Sequence, residues 1–181
     1  MPKTIEDVEN LILKNAFELL KTYGYHKLNM REIAKKSSIA TGTIYNYFPT
    51  KDELMISLIR FYWKDYREKM YELFSSKEDV LTKMRRIFLM IDTFIRTFEG
   101  FILEYAKNGK EKPQGRVNEF IDEFRKGIKM ALDGDKNRNP VSQIKTEELS
   151  VFIAANIISI ALYRLYSYDS FENILKILIL K

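Results

Sequence analysis

Apolar residues recur at intervals of three and four along most of this chain, and no stretch alternates convincingly with period two, so helix is the regular structure its core must be built from. Ile5, Val8, Leu11, Ile12, Ala16, Leu19, Leu20 and Tyr23 form one such stripe, which ends at the helix-stopping Gly24. With 181 residues, 46% of them hydrophobic, the chain can bury a real core. It contains no cysteine, which excludes disulfides, thiolate nucleophiles and cysteine-based zinc sites. The fold therefore rests on packing.

After Gly24 the helices become unusually short. Asn29 followed three residues later by Glu32 has the spacing of an N-cap with a reciprocal carboxylate, and Met30, Ile33 and Ala34 give a brief apolar face ending near Ser37. Beyond Ser38 and Ile39, Thr41 is placed to cap a third helix whose Ile44 and Phe48 lie one turn apart and face inward, and Pro49 stops it. Thr50 and Glu53 form a further capping box, opening a long helix over residues 51–74. Two short helices joined by a tight turn have the outline of a helix-turn-helix, which lays its second helix in the DNA major groove.

Wheel geometry gives that second helix a reading face. With Ile44 and Phe48 inside, steps of about 100° per residue put Gly42 and Asn46 on the opposite side and Thr43 and Tyr45 on the flanks. Gly42 lets backbone approach a duplex closely, and the Asn46 amide can pair with adenine N6 and N7. Thr43, Tyr45 and Tyr47 offer hydroxyls to phosphate, and Lys51 stands at the start of the next helix, where backbone N–H groups favour an anion. Lys27, Lys35 and Lys36 read equally well as a solvated face or as phosphate contacts. The net charge of +5 and a pI near 9.2 fit an acidic partner, whether nucleic acid or an anionic membrane surface.

The stretch "LNMREIAKKSSIATGTIYNYFPTKDEL", residues 28–54, resembles the DNA-binding domain of the TetR family of bacterial transcriptional regulators, with the G-T-I-Y-x-Y-F-x-x-K-x-x-L core as its specific part. The likeness continues more loosely through "ILKNAFELLKTYGYHKLNM", so it covers about the first quarter of the chain. The resemblance implies an all-α fold, with a helix-turn-helix domain over residues 1–50 and a helical ligand-binding and dimerisation domain over 51–181. It also implies a homodimer that represses from a palindromic double-stranded DNA operator and releases it when a small molecule binds. By motif position, DNA contacts fall on Arg31, Thr41, Gly42, Thr43, Tyr45, Asn46, Tyr47 and Lys51.

The remainder reads as a helical bundle, with a stripe from Val80 to Phe98, a short segment over 101–106, a stripe from Val117 to Leu132, a helix over 147–166 and a last one over 170–180. Residues 107–116 and 133–145 read as loops. Phe88, Phe94, Phe98, Tyr105, Phe120, Phe124, Phe152 and Tyr163, with Asn156 as a polar anchor, are candidates either for plain core or for the lining of an effector cavity suited to a hydrophobic or aromatic ligand. The last two helices are more apolar than surface helices should be, and Ala155, Ser159, Leu162, Phe171, Ile174 and Leu178 are the candidate dimer contacts.

The most apolar run, residues 151–163, is shorter than the roughly 20 residues of a membrane span and reads as a buried helix. The first ten residues carry no apolar leader, so the expected address is the cytoplasm, with no membrane partner. A single histidine, no glycine-rich phosphate loop and no metal-ligand cluster leave no visible enzyme, no cofactor and no metal site. The "DGDKNRN" run lacks the glycine and glutamate that a calcium loop requires. The alternative function is a TetR-like DNA-bound protein without a small-molecule inducer, acting as activator or adaptor through a protein partner.

Overall fold

The computed structural model describes residues 5–107, 114–135 and 144–180, and among these every regular element is helical. In order they are α1 (Ile5–Tyr23), a 3₁₀ turn (Tyr25–Lys27), α2 (Met30–Ser37), α3 (Thr41–Tyr47), α4 (Lys51–Ser75), α5 (Val80–Lys107), α6 (Gln114–Asp133), α7 (Thr146–Tyr163) and α8 (Tyr168–Ile179). Packing separates two compact units, Met1–Asp65 with Thr97–Lys110, and Tyr66–Arg96 with Glu111–Lys181. The division between these packing units falls within α4, after Asp65, and within α5, after Arg96.

In the first unit α1 ends where its stripe predicts: Gly24 takes φ 77° and its N–H donates to the Leu20 carbonyl at 2.9 Å. Ile12, Ala16, Ile33, Ile44, Leu54, Met55 and Leu58 are fully buried, and Leu20, Leu28 and Phe48 nearly so. Each large aliphatic or aromatic side chain in such a core contributes about 1.5–3 kcal/mol. Phe17 stacks on Tyr62 with centroids 3.6 Å apart and lies 6.2 Å from Phe98.

Gly100 accounts for the fusion of two expected elements into one. Where the sequence suggests a break and a short helix over 101–106, α5 runs unbroken for 28 residues. A glycine inside a helix weakens it but does not end it, and here the missing side chain is used for contact, because a Cβ on Gly100 would stand 3.1 Å from the Cβ of Tyr25.

In the second unit the core is Met70, Leu73 and Phe74 of α4, Met84, Ile87 and Ile91 of α5, Phe124, Ile128 and Leu132 of α6, Ile153 and Ile157 of α7, and Phe171, Leu175 and Ile179 of α8. The start of α5 is capped from far along the chain, since Asp135 Oδ2 accepts the Val80 N–H at 3.0 Å. Lys83 is buried and its Nζ donates to the Phe74 carbonyl at 3.0 Å, placing a cation at the negative end of α4. Arg85 holds α8 through Glu172, by two hydrogen bonds of 2.9 and 2.8 Å, and through Asp169 at 2.7 Å.

Several expected boundaries move. α6 is already helical at Gln114, inside the predicted 107–116 loop, while residues 136–143 of the other predicted loop lie outside the described residues. α7 stops at Tyr163 instead of 166, because Arg164 turns left-handed at φ 52°, and Ser167 then caps α8 by accepting the Ser170 N–H. Nor is α7 wholly buried. Leu149, Ile153, Ala154, Ile157, Ile160 and Ala161 face inward, whereas Val151, Phe152, Leu162 and Tyr163 are exposed.

Gly127 shows how tight the second core is. A Cβ at this position would lie 2.1 Å from Phe74 Cε2, and the Phe74 ring is itself buried. Gly127→Ala gains about 1 kcal/mol of helix propensity but forces that ring aside at a cost of about 1–3 kcal/mol. We expect a net loss of stability, read as a lower denaturant midpoint at unchanged m-value.

Candidate nucleic-acid interface

The surface presented by α2 and α3 is organised from inside. Asn29 Oδ1 accepts the Glu32 N–H at 2.9 Å and opens α2, which buries Met30, Ile33 and Ala34. Arg31, Lys35 and Lys36 consequently face solvent. Asn15 Nδ2 reaches the buried Ser37 Oγ at 3.1 Å and ties the end of α2 to α1. The turn that follows depends on Ser38, held left-handed at φ 56°, with the Ile39 N–H returning to the Ala34 carbonyl at 3.1 Å.

α3 is seven residues long. Its N-cap is Ala40, with no side-chain cap, and Thr41 is the first helical residue, so the predicted capping role of Thr41 does not hold. Ile44 is fully buried and Phe48 is 2% exposed, as the one-turn spacing requires. Opposite them Gly42, Tyr45 and Asn46 are exposed and Thr41, Thr43 and Tyr47 half-buried. A Cβ on Gly42 would meet no atom within 4 Å, so nothing inside the protein demands glycine there. The open space lies on the outward side, where an approaching duplex backbone would need it.

The face of α3 itself carries no charge; the cations stand around it. Among the described residues Lys27, Arg31 and Lys35 make no ion pair. Lys51 behaves differently from the sequence expectation. Its ammonium turns inward, donating to the Tyr25 carbonyl at 2.7 Å and lying 3.8 Å from the centroid of the Tyr25 ring. Burial lowers its pKa, against the opposing pull of Glu104 and Asp52. Tyr25 was not singled out by sequence reasoning, because nothing local to "YGYHK" signals a partner 26 residues away.

The nine candidate effector residues are divided between the two units, with Phe88 and Phe152 joined through Tyr168 and Phe171. Phe98 and Tyr105 belong to the first unit, Phe98 beside Phe17 and Tyr105 5.2 Å from Phe101. Phe94 meets Tyr66 edge-on at 5.0 Å, and Phe124 is core against Phe74. Phe152 and Tyr163 are 39% and 67% exposed, which suits a surface better than a cavity wall. Asn156 bonds the Phe152 carbonyl and accepts the Tyr166 hydroxyl. The side chain of Phe120 lies outside the described residues.

Phe88 is half-buried and stacks on Tyr168 at 4.5 Å. Tyr168 was missed in the sequence, and its hydroxyl is buried with no hydrogen-bond partner among the described residues. Burial raises its pKa, Glu172 adding to the effect.

Of the candidate dimer residues, Ala155, Leu162 and Ile174 are exposed and Ser159 and Leu178 half-buried. Phe171 must be withdrawn, being fully buried within the protomer against Tyr168 and Phe152. Val151, Leu165 and Ile177, not singled out from the sequence, are among the exposed apolar residues, the last two 76% accessible.

Residues 12–58 match the family model described as bacterial regulatory proteins, tetR family. This stretch of the chain is a TetR-type DNA-binding domain. It is 29% identical over 154 residues to the fatty acid metabolism regulator protein of Bacillus subtilis, covering 81% of this chain and 75% of that one. It is 27% identical over 105 residues to the uncharacterized HTH-type transcriptional regulator YuxN of the same organism, covering 58% of this chain but only 36% of that relative. The nucleoid occlusion factor SlmA of Photorhabdus laumondii is 23% identical over 138 residues, 72% of this chain and 68% of the relative.

Among solved structures, reduced NemR of Escherichia coli aligns over 96% of this chain and 98% of its own with a TM-score of 0.66 at 13% identity. A fatty acid metabolism regulator of Clostridium perfringens aligns over 92% and 95% with a TM-score of 0.52 at 20% identity. These likenesses establish the TetR fold: an N-terminal helix-turn-helix and a C-terminal helical domain.

The left-handed Ser38 leads to a stability test of the helix-turn-helix. A non-glycine residue there gives up about 1 kcal/mol that glycine would not. Ser38→Gly is expected to raise stability by several tenths to about 1 kcal/mol, measured by denaturant unfolding, because the turn relaxes while its backbone hydrogen bonds to Ala34 and Lys35 remain in place.

Proposed function

We propose that this TetR-family regulator binds a two-fold DNA operator as a homodimer, represses from it, and leaves it when a hydrophobic effector binds the part of the chain beyond residue 50. The observation that carries the reading is the outward face of α3, where Gly42, Tyr45 and Asn46 are exposed while Ile44 and Phe48 are locked inside. In this reading Asn46 and the Thr41 and Thr43 hydroxyls meet base edges, Tyr45 and Tyr47 meet phosphates, and Arg31, Lys27 and Lys35 supply neutralising charge. The apolar residues left exposed on α7 and α8 support self-association, and two-fold symmetry sets recognition helices about 34–36 Å apart, one DNA turn. Residues 1–50 read DNA and residues 51–181 carry effector binding and dimerisation. The protein works where the chromosome is, in the cytoplasm.

The effector is proposed to be derived from a fatty acid. Supporting this are the relative named a fatty acid metabolism regulator, the apolar stack of Phe88 on Tyr168, and the Tyr168 hydroxyl, which has no partner among the described residues and which a carboxylate or carbonyl would satisfy. Release then requires a protomer state that binds effector better and holds the two α3 helices off the operator spacing. The likeness to a nucleoid occlusion factor favours a second reading, a DNA-bound protein that answers to a protein partner instead.

Selection of duplexes from a random library with the purified protein is expected to yield a palindromic consensus; sequence-blind binding would overturn the reading. On the selected operator, Asn46→Ala should lose about 1–3 kcal/mol per half-site and relax preference at one base position. Tyr45→Phe should weaken binding to all sequences alike. Three phosphate-facing cations per protomer give a slope of log K against log salt of about −5 for the dimer.

A medium-chain to long-chain fatty acid and its thioester should raise the melting temperature and release the operator at the same concentrations. A melting temperature indifferent to both series, with operator binding intact, would favour the second reading.

A further inference from the structure

The geometry points to Lys51 as a positioning residue rather than a phosphate ligand: with Tyr25 it forms a joint that sets the attitude of the recognition helix, and the last turns of α5 hold that joint in place. This rests on the reading of α3 as the DNA-reading helix.

Lys51 is the first residue of α4 and follows Phe48, the C-cap of α3, by three positions. Its ammonium is engaged twice by one residue, through the Tyr25 carbonyl at 2.7 Å and the Tyr25 ring face at 3.8 Å. The same carbonyl accepts the Leu28 N–H at 3.2 Å, so the side chain grips a turn that is itself fixed. Both contacts tie the ammonium to Tyr25, and swinging it out to a phosphate would take from the ring face the cation that covers it. The grip joins the exit of α3 to the passage between α1 and α2, and any tilt of the recognition helix strains it.

Tyr25 is held in turn from α5. It is 6% exposed. Gly100 comes so close that a Cβ there would lie 3.1 Å from the Tyr25 Cβ, and Phe101 meets the ring edge-on at 5.6 Å. Its hydroxyl is pushed up to about 12, chiefly by burial and then by the Glu104 carboxylate. Glu104 also reaches His26 Nδ1 at 3.5 Å. Gly100 has ordinary helical backbone, with no positive φ to demand glycine. An interior glycine weakens a helix, and the near neighbour that an added Cβ would meet at this one is Tyr25. The close approach is the structural reason for the glycine.

The test measures affinity for the duplex selected by the wild-type protein across a salt series, with Lys51→Met and Gly100→Ala. Lys51→Met keeps the stem and loses the charge; it should bind at least tenfold more weakly with the salt slope unchanged. Were Lys51 instead neutralising one phosphate in each protomer, its removal would make the slope shallower by about 1.8, and that result overturns the proposal. Gly100→Ala, which never approaches DNA in this reading, should also weaken binding at unchanged slope and unchanged base preference. Combined with Lys51→Met it should cost little more than the stronger single change, because both act on one joint. Wild-type affinity in Gly100→Ala overturns the role of α5.

If Gly100→Ala does not fold, Phe101→Leu removes only the ring edge and carries the same expectation. Failure of the wild-type protein to select any sequence would strike at the DNA-reading role itself, and is distinguishable because it appears before any variant is made.

Discussion

A helix of seven residues is too short to be stable alone, and α3 exists because Ile44 and Phe48 are driven into the core one turn apart. Everything offered to a partner follows from that pair. Once those two positions are buried, the helix has no rotational freedom left, and Gly42, Tyr45 and Asn46 are forced outward by geometry rather than by any attraction of their own. The left-handed turn at Ser38 and the C-cap at Phe48 serve this constraint by fixing where the short helix begins and ends.

In the proposed binding of DNA, affinity and selectivity would fall to different elements. α3 contributes hydroxyls, an amide and a glycine but no charge, whereas Lys27, Arg31 and Lys35 come from α2 and the turn before it. Fixed charges on the reading face would hold every sequence alike. Keeping them to the side would, on the proposed reading, let the electrostatic grip orient the protein while short-range hydrogen bonds discriminate.

The sequence is most readable where the signal is local. The Asn29 cap, the Thr50 cap with its Glu53 N–H at 3.1 Å, the stop at Gly24 and the phase of α3 all depend on residues within one or two turns. Long-range uses of familiar residues were hidden. Gly100 looks like a helix break and is a contact; Lys51 looks like a phosphate ligand and grips Tyr25. Ser38 takes a conformation usually left to glycine. In α7 and α8 apolar residues occur on nearly every side, so periodicity could not tell an interior residue such as Phe171 from an exposed one such as Ile177. Aromatic residues likewise announce burial without saying which cluster they join, as Phe98 beside Phe17 and Phe124 beside Phe74 show.

The cap at the start of α5 has a consequence in time. Asp135 lies 55 residues beyond the Val80 N–H it accepts, just past the end of α6. On the ribosome α5 emerges complete while this partner is still unmade, so until α6 has followed it out its first turn has only the local cap in which Asp79 accepts the Thr82 N–H. The second unit cannot close in step with its own synthesis. The helix-turn-helix, whose caps are drawn from neighbouring residues, can form its turns as they appear, ahead of the second unit.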